Sequence, residues 1–328
     1  MATLHQFLAE NRIENTHDIE LVEEIWSHRW GVTNSVGQVR KVLVHRPGNE
    51  ILELNKCQYE EQAGALILRN EKGRIQSYFR SERLPDLELM QAQHDQLTQA
   101  LRNAGAEVIE LEDGPPIWTN RLFARDLGLV IPGGIILSRF AFYFRQGETR
   151  IAQQTLSKLG MPILGAIQGR GCMEGGSFTM LDAKTALVGR SVRVNQEGID
   201  QLRQILSWQG INLIAIDVTA DKIHLDESFL LLDRDKALVD PTHLPYWFLE
   251  EMKARGIKPI AVDPDDPPLT NNCLAVAPGK VIFPASGVRT MERLAKNGIS
   301  VIPVDVTEVN KMGGGIHCAT LPLIREEI

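Results

Sequence analysis

Apolar and polar positions along this 328-residue chain form a phrase that recurs five times: a glycine, an alternating apolar run, then usually an acid. Gly105 leads AEVIELED, Gly160 leads MPILGAI and Gly210 leads INLIAIDV. Gly256 leads IKPIAVDP and Gly298 leads ISVIPVDV. The stretches ahead of the glycines have helical periodicity, as in GIDQLRQILSWQ, YWFLEEMKAR and VRTMERLAKN. A glycine at that point is a helix stop, because it takes positive φ without a Cβ clash. The β-branched run after it predicts a strand. Upstream of the helices lie paired apolar runs around a polar turn, SFTMLDAKTALVGR, SFLLLDRDKALVDP and CLAVAPGKVIFP. The predicted unit is therefore strand, turn, strand, helix, strand, about 50 residues long. A fixed period of that size predicts an array of one supersecondary unit. Five units predict an α/β ring of ββαβ modules, propeller-like and pseudo-fivefold. A doubly wound α/β sheet also alternates strands and helices and stays open as an alternative.

The first unit is the least regular. VRKVLVHRPG, residues 39–48, reads as a strand running into a turn. The polar stretch after it, 55–88, reads as a surface insertion or a lid. The expected organisation is a polar extension over 1–38 packed on one catalytic domain over 39–328.

Composition narrows the function. Apolar residues make up 43% and charged residues 23%, enough to bury a core. The net charge of −7 gives no general attraction to nucleic acid or to anionic membranes. There is no run of 18 apolar residues to cross a bilayer, and the polar, acidic N-terminus lacks a signal-peptide layout. The four cysteines, Cys57, Cys172, Cys273 and Cys318, show no metal-type spacing and no disulfide framework. A reducing cytoplasm is expected.

Four segments place ionisable residues at the start or end of a repeat unit. They are RLFARD with Asp126, GCMEGGSF with Glu174, KIHLDESF with His224 and Asp226, and MGGGIHCATLP with Cys318. In a ring of repeats, equivalent strand ends converge, so these segments are expected to share a pocket. Cys318 follows three glycines, a poor place for core filler and a good one for close approach to a ligand. A nucleophilic thiol needs a base or a depressed pKa, and His317 and His224 are the candidates. A thiol, an imidazole and three carboxylates suit a planar cation, because carboxylates grip guanidinium in paired geometry.

RLFARDLG, MEGGSF, IHLDESFLLLD and GGGIHCATLP, in that order, resemble the guanidino-group-modifying enzymes of the pentein fold. That superfamily holds arginine deiminases, agmatine deiminases, dimethylargininases and amidinotransferases. The resemblance runs from about Val39 to the C-terminus and implies a five-module ββαβ propeller. It implies that Cys318 is the nucleophile and His224 the general acid and base. It further implies that Asp126 and Asp226 grip the guanidinium and that Glu174 supports it and the histidine. Arg193 and Asn120 match residues that hold a substrate carboxylate in arginine deiminases, and Arg145 is a further candidate. No metal or organic cofactor is implied.

Departures bear on the reaction. Ser177 stands where arginine deiminases usually carry Asp, and His317 where they usually carry Arg. The His-Cys pair resembles agmatine deiminases and amidinotransferases. Asp226 favours an unsubstituted guanidine over dimethylarginine. The expected activity is cysteine-dependent hydrolysis of arginine or a close derivative to a ureido product. Amidino transfer to an amine, dimethylarginine hydrolysis and a silent binding ring are the alternatives. The expected partner is a small cationic guanidino compound, without nucleic acid or membrane, and a homo-oligomer stays open.

Overall fold

A computed structural model describes residues 3–13, 15, 17–80 and 83–328. Five three-stranded sheets carry the repeated unit, and each pairs two strands antiparallel and a third in parallel. In one, Phe178–Asp182 pairs antiparallel with Thr185–Arg190, which pairs in parallel with Asn212–Asp217. The helix Gln196–Ser207 makes the crossover. It buries Ile199, Leu202 and Leu206, spaced three and four apart, and packs on the strand that follows it. Each such side chain contributes about 1.5–3 kcal/mol by leaving water.

The five repeat glycines behave as the sequence predicts. Gly105, Gly160, Gly210, Gly256 and Gly298 all have positive φ, between 68° and 91°. At the last four, a Cβ would meet nothing within 4 Å, so backbone conformation rather than space selects glycine.

The first unit is assembled from both ends of the chain. Its central strand, Val39–Val44, pairs in parallel with Glu107–Glu110 and antiparallel with the C-terminal strand Leu321–Arg325. The described strands therefore form small mixed sheets, with no strand pairing from one sheet to the next, rather than a doubly wound parallel sheet.

The stretch expected as an insertion or lid carries a small sheet of its own. It folds into an antiparallel meander of Gln58–Glu60, Ala65–Arg69 and Ile75–Phe79. Its last strand buries Ser77 and Phe79, and the Ser77 hydroxyl meets that of Thr119 at 2.8 Å. Within 1–38, the helix Leu4–Ala9 buries none of its residues, whereas Val22 and Trp30 are fully buried. No described helix is long and apolar enough to cross a membrane.

Candidate active site

The candidate residues occupy one equivalent place in successive units, just ahead of the first strand. Asp126 sits in the short turn of helix Ala124–Leu127 before Gly128–Ile131. Glu174 precedes Gly175–Ser177 and the strand Phe178–Asp182. His224 caps Leu225–Glu227, which holds Asp226, before Phe229–Asp233. Cys318 lies three residues before Leu321–Arg325. One narrow pocket of about 30 Å³ is lined by Asp126, His224 and Cys318 together with Asn120, Arg145 and Arg193. Glu174 lies directly behind it, fully buried against His224 and Arg193.

Glycine makes this convergence possible. A Cβ at Gly176 would lie 2.7 Å from His224 Nδ1 and 2.8 Å from Asp126 Oδ1. Instead the Gly176 amide donates to Asp126 Oδ1 at 2.9 Å, which orients the carboxylate.

His224 is bound on both sides by acids. Its Nε2 meets Glu174 Oε2 at 2.9 Å, and its Nδ1 lies 3.6 Å from Asp126 Oδ1. Burial opposes a charged ring here, but Asp126 and Glu174 outweigh it and push its pKa up to about 9. Burial likewise opposes ionisation of Glu174, but His224 and Arg193 outweigh it and bring that pKa down to about 2. The pair is therefore an imidazolium and a carboxylate at neutral pH.

Cys318 is held differently. Its Sγ accepts from Asn272 Nδ2 at 3.1 Å and lies 3.7 Å from Asp226 Oδ2, while its amide donates to Asn272 Oδ1 at 3.1 Å. Burial and the charges of Asp226 and Asp126 hold its pKa well above the usual thiol range. His317, the sequence neighbour considered as a base, turns away from the sulfur. Its Nδ1 meets Asp226 Oδ2 at 2.7 Å. Burial also raises Asp226, to about 7, despite the opposing pull of His224.

The three residues considered for a substrate carboxylate differ in freedom. Arg145 is fully engaged: Nη1 donates to Asp126 at 2.5 Å, Nη2 and Nε to Glu148, and Nη2 also to the carbonyls of Asn120 and Phe123. It is a brace for Asp126 rather than a free cation. Arg193 pairs with Glu174 at 3.3 Å, reaches the Tyr78 hydroxyl at 3.4 Å, and lies over the rings of Phe142 and Phe144. Asn120 lines the pocket with its side chain. Asp126, Glu174 and His224 also bring ligand-type atoms within 4.8 Å of one another, which could hold a metal ion. In this structure the same atoms hold Arg145, Arg193 and each other.

Sequence reasoning missed Asn272, Tyr78 and Arg125. Asn272 stands ahead of Leu274–Ala277, the equivalent place in the unit that otherwise supplies no site residue. Aligning the five units by the start of their first strands would have found it. Tyr78 comes from the meander, which shares no period with the repeat. Arg125 adjoins Asp126, and its amide donates to the Cys318 carbonyl at 3.0 Å.

The comparisons with known proteins agree with this arrangement. The sequence model of the arginine deiminase family matches residues 116–252 and 256–325. The N(G),N(G)-dimethylarginine dimethylaminohydrolase of Pseudomonas aeruginosa is 28% identical over 240 residues, covering 72% of this chain and 89% of that protein. The 2-nitroimidazole nitrohydrolase of a Mycobacterium species is 26% identical over 319 residues, covering 89% of this chain and 81% of that one. Among solved structures, the Pseudomonas aeruginosa dimethylarginine hydrolase complexed with citrulline superposes with a TM-score of 0.68 at 22% identity, covering 87% of this chain and 99% of the other. An amidinotransferase of saxitoxin biosynthesis from Microseira wollei superposes at 0.67 and 15% identity, covering 92% and 98%. These likenesses establish the α/β fold.

Proposed function

Because this chain belongs to the arginine deiminase family, we propose that it hydrolyses the guanidino group of arginine or a close derivative through a covalent cysteine intermediate. The observation that carries the reading is the pocket itself: a thiol, an acid-bound imidazolium and the buried Asp126 carboxylate line one narrow space, with Asp226 3.7 Å from the sulfur. On this reading the five units are blades around a shared axis, which is why their strand starts meet.

In the proposed reaction, Asp126 and Asp226 accept hydrogen bonds from the guanidinium nitrogens and present its carbon to Cys318. The cation offsets the two carboxylate charges that hold the thiol protonated, so binding itself favours the thiolate. The thiol proton leaves to water, and the thiolate attacks the guanidino carbon, forming a C–S bond. His224 gives its proton to the leaving nitrogen as the C–N bond breaks, which releases ammonia or an amine and leaves a thiouronium on Cys318. The neutral imidazole then takes a proton from water. The hydroxide forms the C–O bond, the C–S bond breaks, and the ureido product leaves with the thiol restored. Glu174 holds the charge of His224 throughout, and Arg193 with Asn120 receives the substrate carboxylate.

The test is a product assay by mass spectrometry on arginine, agmatine, mono- and dimethylarginine and guanidinoacetate, each with and without glycine or ornithine. A ureido product formed without an added amine is expected. Turnover only with an acceptor would establish amidino transfer instead. Cys318→Ala should lower kcat by roughly 10⁴-fold or more, as loss of a covalent nucleophile does. Retained turnover would sink the covalent mechanism.

A further inference from the structure

A second cavity lies back to back with the catalytic pocket. Asp126 and Cys318 line the catalytic side, while their chain neighbours Arg125 and His317 line a separate space of about 30 Å³ together with Arg325. Among the described residues, no Asp or Glu lines that space, and two guanidinium groups do. Arg125 Nη2 is buried without a hydrogen-bond partner, and its Nε reaches only the His317 carbonyl at 3.4 Å. Arg325 Nη1 donates to the carbonyls of Gly37 and Ala275 at 2.7 and 2.8 Å, both neutral acceptors. Asp226 and Asp126 act on Arg125 from the catalytic side, where other groups already hold them.

A buried cation is costly without a counter-charge. The cost shows here. Burial pushes Arg125 down to about 10, and burial together with the charge of Arg125 pushes Arg325 down to about 9. Burial and both arginines also hold the His317 ring neutral.

We propose that this cavity binds one small monovalent inorganic anion of the halide class, held between Arg125 and Arg325. The volume suits a body about the size of one or two waters and leaves no room for a metabolite-sized carboxylate. The site also reaches the chemistry. Arg125 donates through its backbone to the Cys318 carbonyl, and His317 carries the contact on to Asp226, 3.7 Å from the sulfur. A bound anion offsets the charge of Arg125, which favours the thiolate from behind, so it slows alkylation of Cys318 at fixed pH.

The experiment compares thermal unfolding of the full chain in sodium chloride and in sodium gluconate at equal ionic strength. Chloride should raise the midpoint with the logarithm of its concentration above its dissociation constant, by roughly 1–3 °C at ten times that constant. Arg325→Gln should abolish the rise. Chloride NMR line broadening by the wild type, reversed by bromide, reads the same binding without any variant. Thr179→Leu fills the cavity from its wall without removing a guanidinium, and should remove the broadening even where Arg325→Gln does not fold. Equal midpoints in the two salts with no excess broadening would overturn the proposal. So would broadening that persists in Thr179→Leu, or that a guanidino substrate displaces while Arg325→Gln retains it, because the anion would then sit in the catalytic pocket.

Discussion

Burial holds the Cys318 thiol protonated while His224, wedged between Glu174 and Asp126, keeps its proton to about pH 9. On the proposed mechanism, the resting site thus pairs a neutral nucleophile with a charged acid, and the substrate's own charge completes the activation. Asp226 must lose its proton to grip a guanidinium, and burial delays that to about pH 7. We expect kcat/KM to rise through about pH 7 and fall above about pH 9, a bell that a pH–rate profile reads directly. A flat profile from pH 6 to 10 would be incompatible with these roles. Stability carries the same sign for His224. Its pKa is raised on folding, so its contribution is complete below 6.5 and is lost as pH climbs through about 9. Thermal midpoints should fall across that window, and His224→Gln should flatten the fall. Asn272 grips both the amide and the sulfur of Cys318. Asn272→Ala should cost about 1–3 kcal/mol of stability through the unpaired amide and roughly 10–100-fold in kcat through misplacement of the sulfur. Calorimetry and steady-state rates check the two effects separately. The acids and the histidine stood out in the sequence because each is an ionisable residue at the start of a repeat unit. Asn272, in NNCLAVAPG, had no such flag, and a neutral amide gives no charge pattern to read.

At the level of helices and strands, the recurring glycines decide where each crossover stops. Gly210 and Gly298 have φ of 68° and 78° with open space around the missing Cβ. Gly210→Ala should therefore cost only about 1–2 kcal/mol, the strain of a left-handed residue, and leave kcat unchanged. Chemical denaturation beside an activity assay tests this, and a larger loss would mean that space, not conformation, selects the glycine. These stops and the runs after them were legible because conformation and pattern point the same way at each. The meander of Gln58–Glu60, Ala65–Arg69 and Ile75–Phe79 was not. Its strands are short and share no spacing with the repeat, although the middle one buries Ala65 and Ile67 and the last buries Ser77 and Phe79. Nothing in its sequence announces that Tyr78 reaches Arg193.

Across the whole molecule, the first unit is built from residues almost three hundred positions apart. Leu321–Arg325 pairs with Val39–Val44, and Cys318 hangs immediately ahead of it. Sequence reading found this unit irregular because its first strand is missing from the place where the other units carry theirs. Removing residues 321–328 should abolish cooperative unfolding, whereas removing residues 1–10 should change stability by no more than about 0.5 kcal/mol, since Leu4–Ala9 buries nothing. Far- and near-UV circular dichroism during melting distinguishes the two truncations. The same pairing has a consequence for how the molecule comes into being. On the ribosome, the acids and the histidine emerge long before the thiol, and the strand Leu321–Arg325 that fixes the thiol follows all of them. On the proposed reading, a nascent chain that has not yet made Leu321–Arg325 holds no working nucleophile. The onset of reactivity is then timed by that strand finding Val39–Val44.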